Sequence, residues 1–441
     1  MFILKKEKKI PTSRLSRLAT LGSLVTKVAS NMVLDGAKQW SKGQPTSIKE
    51  LLVQPSNINH LAEKLSQLRG AAMKVGQLLS MDAGDLLPAE LSQLLDKLRS
   101  NAQPMPHKQL LEVLENEWGD SWLDNFAHFE LKPFASASIG QVHMAYLDNG
   151  KKLAVKVQYK GIADAISSDV DNVAALLKLS GLLPAHIEID ELLAQAKLQL
   201  LAEADYVNEA NFVKIYADLL SDDQFVLPMV IEDFSTQSIL AMKFIEGVPI
   251  DQITQLPQQV RDKAVESLIG LFFDELFTYQ LMQTDPNFAN YLYQVDTDRI
   301  VLLDFGATRK IPQTISLGYL ALIKASINNE KTAMVDAAKN IGFFADNIEP
   351  TYLSQVLDIF TLACEPLVYD KTYDFAKSGL ALRIKEKGLL INTQQEQWHT
   401  PPIDAVFIHR KLAGLYLLAA KLEAKVNTHQ LFYKFIHNEA H

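Results

Sequence analysis

Asp285, Asn290 and Asp304 are spaced as a protein would space them to handle a phosphorylated substrate with a divalent cation. The stretch Gln283-Thr284-Asp285-Pro286-Asn287-Phe288-Ala289-Asn290 sets an aspartate and an asparagine with four residues between them. Asp304, in Leu303-Asp304-Phe305-Gly306, directly follows the apolar run from Ile300 to Leu303. Phosphoryl transfer asks mainly for positioning and charge neutralisation: a lysine on the nucleotide phosphates, a glutamate to hold it, and carboxylate and amide oxygens for magnesium. Asn290 and Asp304 are the magnesium candidates. Asp285 is either a base that accepts the substrate hydroxyl proton or an orienter of the attacking oxygen. The lysine candidate is Lys156, within the apolar Leu153-Ala154-Val155-Lys156-Val157. ATP, or ADP, with Mg2+ is the ligand pair this chemistry implies.

Each signal is weak alone, since a strand lysine often just packs its stem on a core. Their order along the chain is what carries weight: strand lysine, then the catalytic-loop spacing of kinases, then Asp-Phe-Gly after a buried strand. Where a kinase has a glycine-rich loop, this chain has Pro133-Phe134-Ala135-Ser136-Ala137-Ser138-Ile139-Gly140-Gln141-Val142-His143. Alanine resists the positive φ that glycine adopts freely, so the loop is stiffer and approaches phosphate differently. Ala135, Ser136, Ala137, Ser138 and Gln141 are taken as nucleotide-contacting positions. Met242 and Phe244, in a connector near Met242 to Glu246, are taken likewise.

The elements that must position these residues follow from periodicity. From about Arg14 to Ser100 apolar residues recur at helical steps, as in Leu61, Leu65, Leu68, Ala72, Val75 and Leu79. Pro104 and Pro106 end that region. Two strands, Ile139 to Tyr146 and Lys152 to Gln158, flank the turn signal Asp148-Asn149-Gly150 and predict a hairpin. One long helical stretch is expected from roughly Ile189 to Leu220, then strands at Phe225 to Ile231 and Ser238 to Phe244. From Pro257 onward the chain reads as helical, except for a buried strand around Ile300 to Phe305. The predicted fold class is α+β, with a small β-rich N-lobe and a large helical C-lobe. The predicted domains are a helical extension over 1–125, the N-lobe over 126–243 and the C-lobe over 244–441.

With 48% hydrophobic and 22% charged residues in 441, the chain can bury real cores, which excludes disorder as the default. Up to Gly43, nine basic residues face only Glu7 and Asp35, so that segment carries +7 and the remainder −16. An acidic body argues against nucleic acid as a partner, whereas a basic start beside apolar residues suits an anionic lipid surface. Leu15, Leu18, Leu21 and Val25, with Arg14, Arg17 and Lys27 around them, fit an interfacial helix or one packed on the body. The single cysteine, Cys364, forms no internal disulfide and suits a reducing compartment. Met1-Phe2-Ile3-Leu4 runs into lysines, so a secretory leader is not expected, and Leu412 to Ala420 falls short of the ~20 residues of a spanning helix. A cytoplasmic location is expected, with peripheral contact at the inner face of the membrane.

At this point the chain resembles the UbiB family of atypical kinases, also called AarF-domain kinases, associated with coenzyme Q biosynthesis. Lys74-Val75-Gly76-Gln77 is similar to that family's K-x-G-Q, the alanine-rich loop to its A-S-I-G-Q-V-H, and Glu203-Ala204-Asp205 to its E-x-D. Glu209 stands where the family's lysine-pairing glutamate does, and the likeness runs from Pro11-Thr12-Ser13-Arg14 to His409-Arg410-Lys411-Leu412-Ala413-Gly414. The resemblance implies that the segment bearing Lys74 and Gln77 folds over the active site where a protein kinase takes its peptide, with Lys74, Gln77, Glu203 and Asp205 in regulatory roles. No A-P-E follows Asp304-Phe305-Gly306, and helical periodicity resumes after Pro312. ATPase activity, or phosphorylation of a lipid or small molecule, is therefore expected rather than protein phosphorylation, acting on or in response to a quinone precursor as the resemblance implies, with quinone-biosynthesis enzymes as partners. On an unbroken helix, Glu203 and Asp205 point about 200° apart and cannot share a site, whereas Asp205 and Glu209 share a face. Gln283 departs from the histidine of many bacterial relatives, Ser136 interrupts the alanines, and Pro286-Asn287-Phe288-Ala289 resembles the mitochondrial-type branch. The competing reading is a nucleotide-binding pseudokinase scaffold without turnover, and a conventional protein kinase is a third.

Overall fold

The computed structural model describes residues 69–83, 104–180, 189–220, 224–344, 348–392 and 402–437. The basic segment up to Gly43, the interfacial-helix positions Leu15 to Val25, and Leu61 to Leu68 lie outside these residues. Two compact units divide the chain. One comprises the described residues up to Ala210 with Met229–Phe244, and the other Asn211–Pro228 with Ile245 onward.

The first unit is built on an antiparallel sheet in the order β1 (His128–Phe129), β3 (Gly140–Tyr146), β4 (Lys152–Gln158), β6 (Ile239–Lys243), with β2 (Ala135–Ser136) also on β3. The predicted hairpin forms: Gly150 takes φ +78 and the Asn149 carboxamide accepts from the Lys151 N–H at 3.0 Å. Alternation along β4 puts Leu153, Val155 and Val157 on one face, each 0% exposed, and Lys156 on the other. Burying three such side chains contributes about 1.5–3 kcal/mol apiece, enough to fix the register that aims Lys156. Trp118, Trp122, Phe126, Phe129 and Phe234 cluster through edge-to-face and tilted ring contacts at one side of this unit, and the Trp118 indole N–H donates to the Phe234 carbonyl at 3.2 Å.

Helices α1 (Arg69–Ala83), α2 (His107–Trp118), α3 (Ile162–Ser180) and α4 (Ile189–Glu203) complete this unit, α1 packing on α3 and α4. The single helix expected from 189 to 220 is two. The α4 helix ends at Glu203, and α5 (Tyr206–Leu219) restarts after Asp205, whose carboxylate caps it by accepting from the Asn208 N–H at 2.9 Å. An aspartate before an apolar helical run is a stop-and-start signal in its own right.

In the second unit the sheet order is β5 (Phe225–Val226), β10 (Arg299–Leu302), β9 (Tyr291–Gln294), β7 (Val248–Pro249), and β8 (Leu281–Gln283) pairs with β11 (Thr308–Lys310). The strand expected over Phe225 to Ile231 is only β5, parallel to β10. Much of the helical C-terminal expectation holds, in α6 (Gln258–Phe273), α7 (Gln313–Ile327), α8 (Lys331–Ile341), α9 (Pro350–Ala363), α10 (Phe375–Ser378), α11 (Leu380–Asn392), α12 (Ile403–Lys421) and α13 (Thr428–His437). Strands β8, β9, β11, β12 (Tyr373–Asp374) and β13 (Lys425–Val426) correct the rest: at two to four residues they are too short to display a period. The strand read as Ile300 to Phe305 stops at Leu302, which leaves Asp304 in a loop.

Candidate active site

Lys156 lies on the β4 face opposite the valines, and its Nζ donates to both oxygens of Glu209, at 3.0 and 2.9 Å. The lysine is 7% exposed and the glutamate 1%. The break at Ala204-Asp205 makes this arrangement possible, because α5 is free to take its own direction and carry Glu209 under the sheet. The Tyr206 ring lies 5.0 Å from the same ammonium. Glu203, at the end of α4, instead accepts from Lys74 Nζ of α1 at 2.5 Å, both groups being buried. Glu203 and Asp205 therefore do different work: one is in an ion pair and the other is a helix cap. Gln77 lies within α1.

The alanine-rich loop is a tight connection from β2 to β3, closed by the Ala137 N–H donating to the Gly140 carbonyl at 3.0 Å. Gly140 is obligatory, since a Cβ there would lie 2.4 Å from the Val157 carbonyl oxygen. Gly70 of α1 approaches the same loop so closely that a Cβ would meet the Ser138 carbonyl oxygen at 3.0 Å. The helix carrying Lys74 thus sits directly against the loop that carries Ala135, Ser136, Ala137 and Ser138.

Gln141 does not join them. It pairs across the hairpin with Val157, so its side chain falls on the face opposite Lys156 and is 0% exposed. Its Oε1 accepts from the Met105 N–H at 2.8 Å, and its Nε2 donates to His143 Nε2 at 2.8 Å. The Glu130 carbonyl can only accept, so the proton of His143 sits on Nδ1, 2.8 Å away. Burial holds this imidazole neutral, its pKa lowered to about 4. Gln141 and His143 anchor the segment before α2 to the sheet rather than meeting nucleotide. Met242 is nearly buried opposite Ala154, and Phe244 bonds the Lys152 carbonyl through its N–H while its ring meets Phe134 edge-on at 5.8 Å.

In the second unit, Asp285, Asn290 and Asp304 are fixed by ties between their two loops. Thr284 Oγ1 donates to the Ala307 carbonyl at 2.6 Å, and the Leu303 N–H donates to the Asn290 carbonyl at 3.0 Å. Phe305 is 1% exposed, its ring 4.7 Å from Tyr216. Asp285 accepts from the Asn287 N–H at 3.3 Å, and Asp304 from the Gly306 N–H at 3.0 Å. Asn290 and Asp304 line one small cavity of about 10 Å³, room for about one water-sized group. Asn290 is 9% exposed and its Nδ2 has no hydrogen-bond partner among the described residues.

That donor set fits magnesium. The oxygens of the Asp304 carboxylate and the Asn290 carboxamide are the hard donors magnesium takes, its remaining ligands coming from phosphate and water. Among the described residues no group of three or more His, Cys, Asp and Glu is arranged to hold a metal without such help.

The same cavity is lined by three residues to which sequence reasoning gave no role. Glu275, 0% exposed in a π-turn over Asp274–Thr278, accepts from Tyr216 Oη at 2.7 Å, from the Gln283 N–H at 3.1 Å, and from Lys411 Nζ. Burial lowers the Lys411 pKa against the pull of Glu275 and raises that of Tyr216. The available signal was Lys411 itself, a lysine inside a largely apolar helix, which demands a buried partner.

The chain is similar to known proteins over most of its length. Residues 97–338 match the ABC1 atypical kinase-like domain. The mitochondrial atypical kinase COQ8 of Saccharomyces cerevisiae is 35% identical, the match covering 97% of this chain and 85% of the yeast protein. COQ8B of Rattus norvegicus, also mitochondrial, is 34% identical over 98% and 82% respectively. The solved complex of Rv3197 with erythromycin from Mycobacterium tuberculosis superposes with a TM-score of 0.57 at 24% identity, covering 86% of this chain and 95% of that one, which shows a common fold. A kinase-like fold is in general a nucleotide-binding one. The resemblance read from K-x-G-Q, the alanine-rich loop and Asp-Phe-Gly is thereby established: this chain belongs to the ABC1, or UbiB, family of atypical kinases.

Proposed function

We propose that this atypical kinase binds ATP with magnesium and uses it on, or in response to, a lipid or small-molecule quinone precursor in coenzyme Q biosynthesis. The observation that carries the reading is the pair of ties joining the Asp285–Asn290 loop to the Asp304 loop, which hold Asp285, Asn290 and Asp304, the candidate base and the candidate magnesium ligands, in fixed register.

Lys156, held by Glu209, contacts the nucleotide phosphates, and the loop from Ala135 to Ser138 offers them backbone and hydroxyl groups. Magnesium, held by Asp304 and Asn290, supplies charge neutralisation on the phosphates. Asp285 orients the attacking oxygen or takes its proton. Lys74, on the helix against the loop, and its partner Glu203 at the end of α4 restrain how the loop meets phosphate. Peripheral contact with an anionic membrane gives access to a lipid precursor; among the described residues no helix is long and apolar enough to cross a membrane.

The test is ATP hydrolysis by the purified chain with magnesium, with and without anionic vesicles and a phenolic precursor mimic, beside a mixed peptide substrate. Stimulation by vesicles or phenol without peptide phosphorylation is the expected result. Nucleotide binding with no turnover under any of these conditions leaves the scaffold reading, and robust peptide phosphorylation contradicts the proposal.

A further inference from the structure

Helix α12 touches the catalytic-loop region at four places along one side. Asp404 accepts from Arg309 Nε and Nη2, at 3.2 and 3.1 Å, and Arg309 lies on β11, the partner strand of β8. Lys411 pairs with Glu275, which accepts the Gln283 N–H two residues before Asp285. Gly414 is pressed on Pro286, the residue after Asp285, so closely that a Cβ at 414 would lie 2.5 Å from the Pro286 Cβ. Lys421 stands over the Phe288 ring at 5.9 Å and pairs with Asp251. At about 100° per residue, positions 404, 411, 414 and 421 fall within an arc of about 100°, a single face of the helix. The other side carries His409, which meets Tyr319 Oη at 2.9 Å in the apolar interior.

We infer that this face of α12 is the positioning element for Asp285: it fixes the catalytic loop directly at Pro286, immediately after the aspartate, and through Glu275 at Gln283, two residues before it. None of the four residues is a catalytic group: Gly414 and Lys421 act on loop residues, Asp404 through Arg309 of β11 and Lys411 through Glu275. The strand before Asp285 has only three residues and pairs with β11 alone, too little to hold itself in place. A rigid helix lying across the loop supplies what that strand lacks. The choice of glycine at 414 has the same origin, since no side chain fits between helix and loop. The inference rests on the ATP-dependent reading of the site, and its test separates the two.

The variants are Gly414→Ala, Gly414→Val and the double Lys411→Met/Glu275→Gln, with the exposed Ala413→Ser as control. Two readouts are taken: ATP turnover with magnesium, and hydrogen exchange in the peptide spanning Gln283 to Asn290. Displacing the loop by about 1 Å is expected to lower kcat by about 10²-fold in Gly414→Ala and further in Gly414→Val. The KM for ATP stays within about threefold, as befits lost transition-state alignment rather than lost binding. Exchange in the loop peptide accelerates in the same order, while β3 and β4 keep their protection, and Ala413→Ser changes neither readout. Unchanged loop exchange and kcat in both Gly414 variants would overturn the inference, as would a loss of β3 and β4 protection equal to that of the loop. Absence of turnover in the wild-type chain counts against the ATP-dependent reading alone, and the exchange order still decides the role of α12.

Discussion

Among the buried lysine–glutamate pairs of the described residues, Lys156–Glu209 in the first unit and Lys411–Glu275 in the second are built for opposite purposes. In the first unit, Glu209 gives both carboxylate oxygens to one ammonium, that of Lys156. In the second, Glu275 divides its oxygens among Lys411, Tyr216 and the Gln283 N–H. Burial does not distinguish them, with side-chain exposures of 9% and 1% against 3% and 0%. What differs is what the carboxylate is tied to. Glu209 aims a lysine, whose ammonium can be shared with a phosphate at small cost. Glu275 joins three parts of the chain, so disturbing it moves the backbone leading to Asp285. The same pair of residue types is an instrument in one unit and a fastening in the other.

Breaking each pair is expected to have the largest effect. Lys156→Met or Lys411→Met leaves a buried carboxylate uncompensated, a cost of about 3–5 kcal/mol in urea unfolding. The double variants sharpen the contrast. Lys156→Met/Glu209→Gln should regain most of that stability and none of the ATP turnover. Lys411→Met/Glu275→Gln should regain less, because Tyr216 and Gln283 also depend on Glu275. Equal recovery in the two doubles would erase the distinction.

Acid gives the next effect. Burial holds His143 in the first unit and His409 in the second at about 4, below the ordinary 6.5 of the unfolded chain. Between those values the unfolded chain binds protons that the folded chain does not, so stability present at neutral pH is lost as pH falls from 6.5 toward 4. Each histidine contributes about 2 kcal/mol of loss at pH 5, read from unfolding at pH 7 and pH 5. Replacing His143 with glutamine should flatten the pH dependence of the first unit and leave that of the second. The smallest effect is at the break between α4 and α5, where Asp205→Ala removes a helix cap worth about 1 kcal/mol, seen as a lowered Tm. Because that cap starts the helix bearing Glu209, turnover should fall with it, whereas Asp205→Asn should restore both.

How much the sequence disclosed depended on whether the signal was local. The hairpin from Gly140 to Gln158 was readable because its turn and its alternation lie side by side. Its register also carries the correction to Gln141: opposite Val157, that residue must share a face with the apolar side chains, never with Lys156. The break after Glu203 was half legible, since helical geometry forbade Glu203 and Asp205 a common site, yet the capping role of Asp205 went unread. The pairing of Lys411 with Glu275 spans 136 positions and depends on a π-turn, and no spacing rule joins such residues. Short strands such as β8 and β11 exist by pairing with each other rather than by propensity, which is why the C-terminal half read as more helical than it is.

The most direct test of the account is nucleotide handling by Asp304→Asn, which keeps the shape of the side chain and removes the charge that magnesium needs. Wild-type chain should hydrolyse ATP only with magnesium, and the variant should lose turnover by about 10³-fold while still binding nucleotide when magnesium is withheld. Magnesium-dependent turnover within a few-fold of wild type in Asp304→Asn would contradict the assignment of Asp304 and Asn290, and with it the reading of this unit as the phosphoryl-transfer machinery.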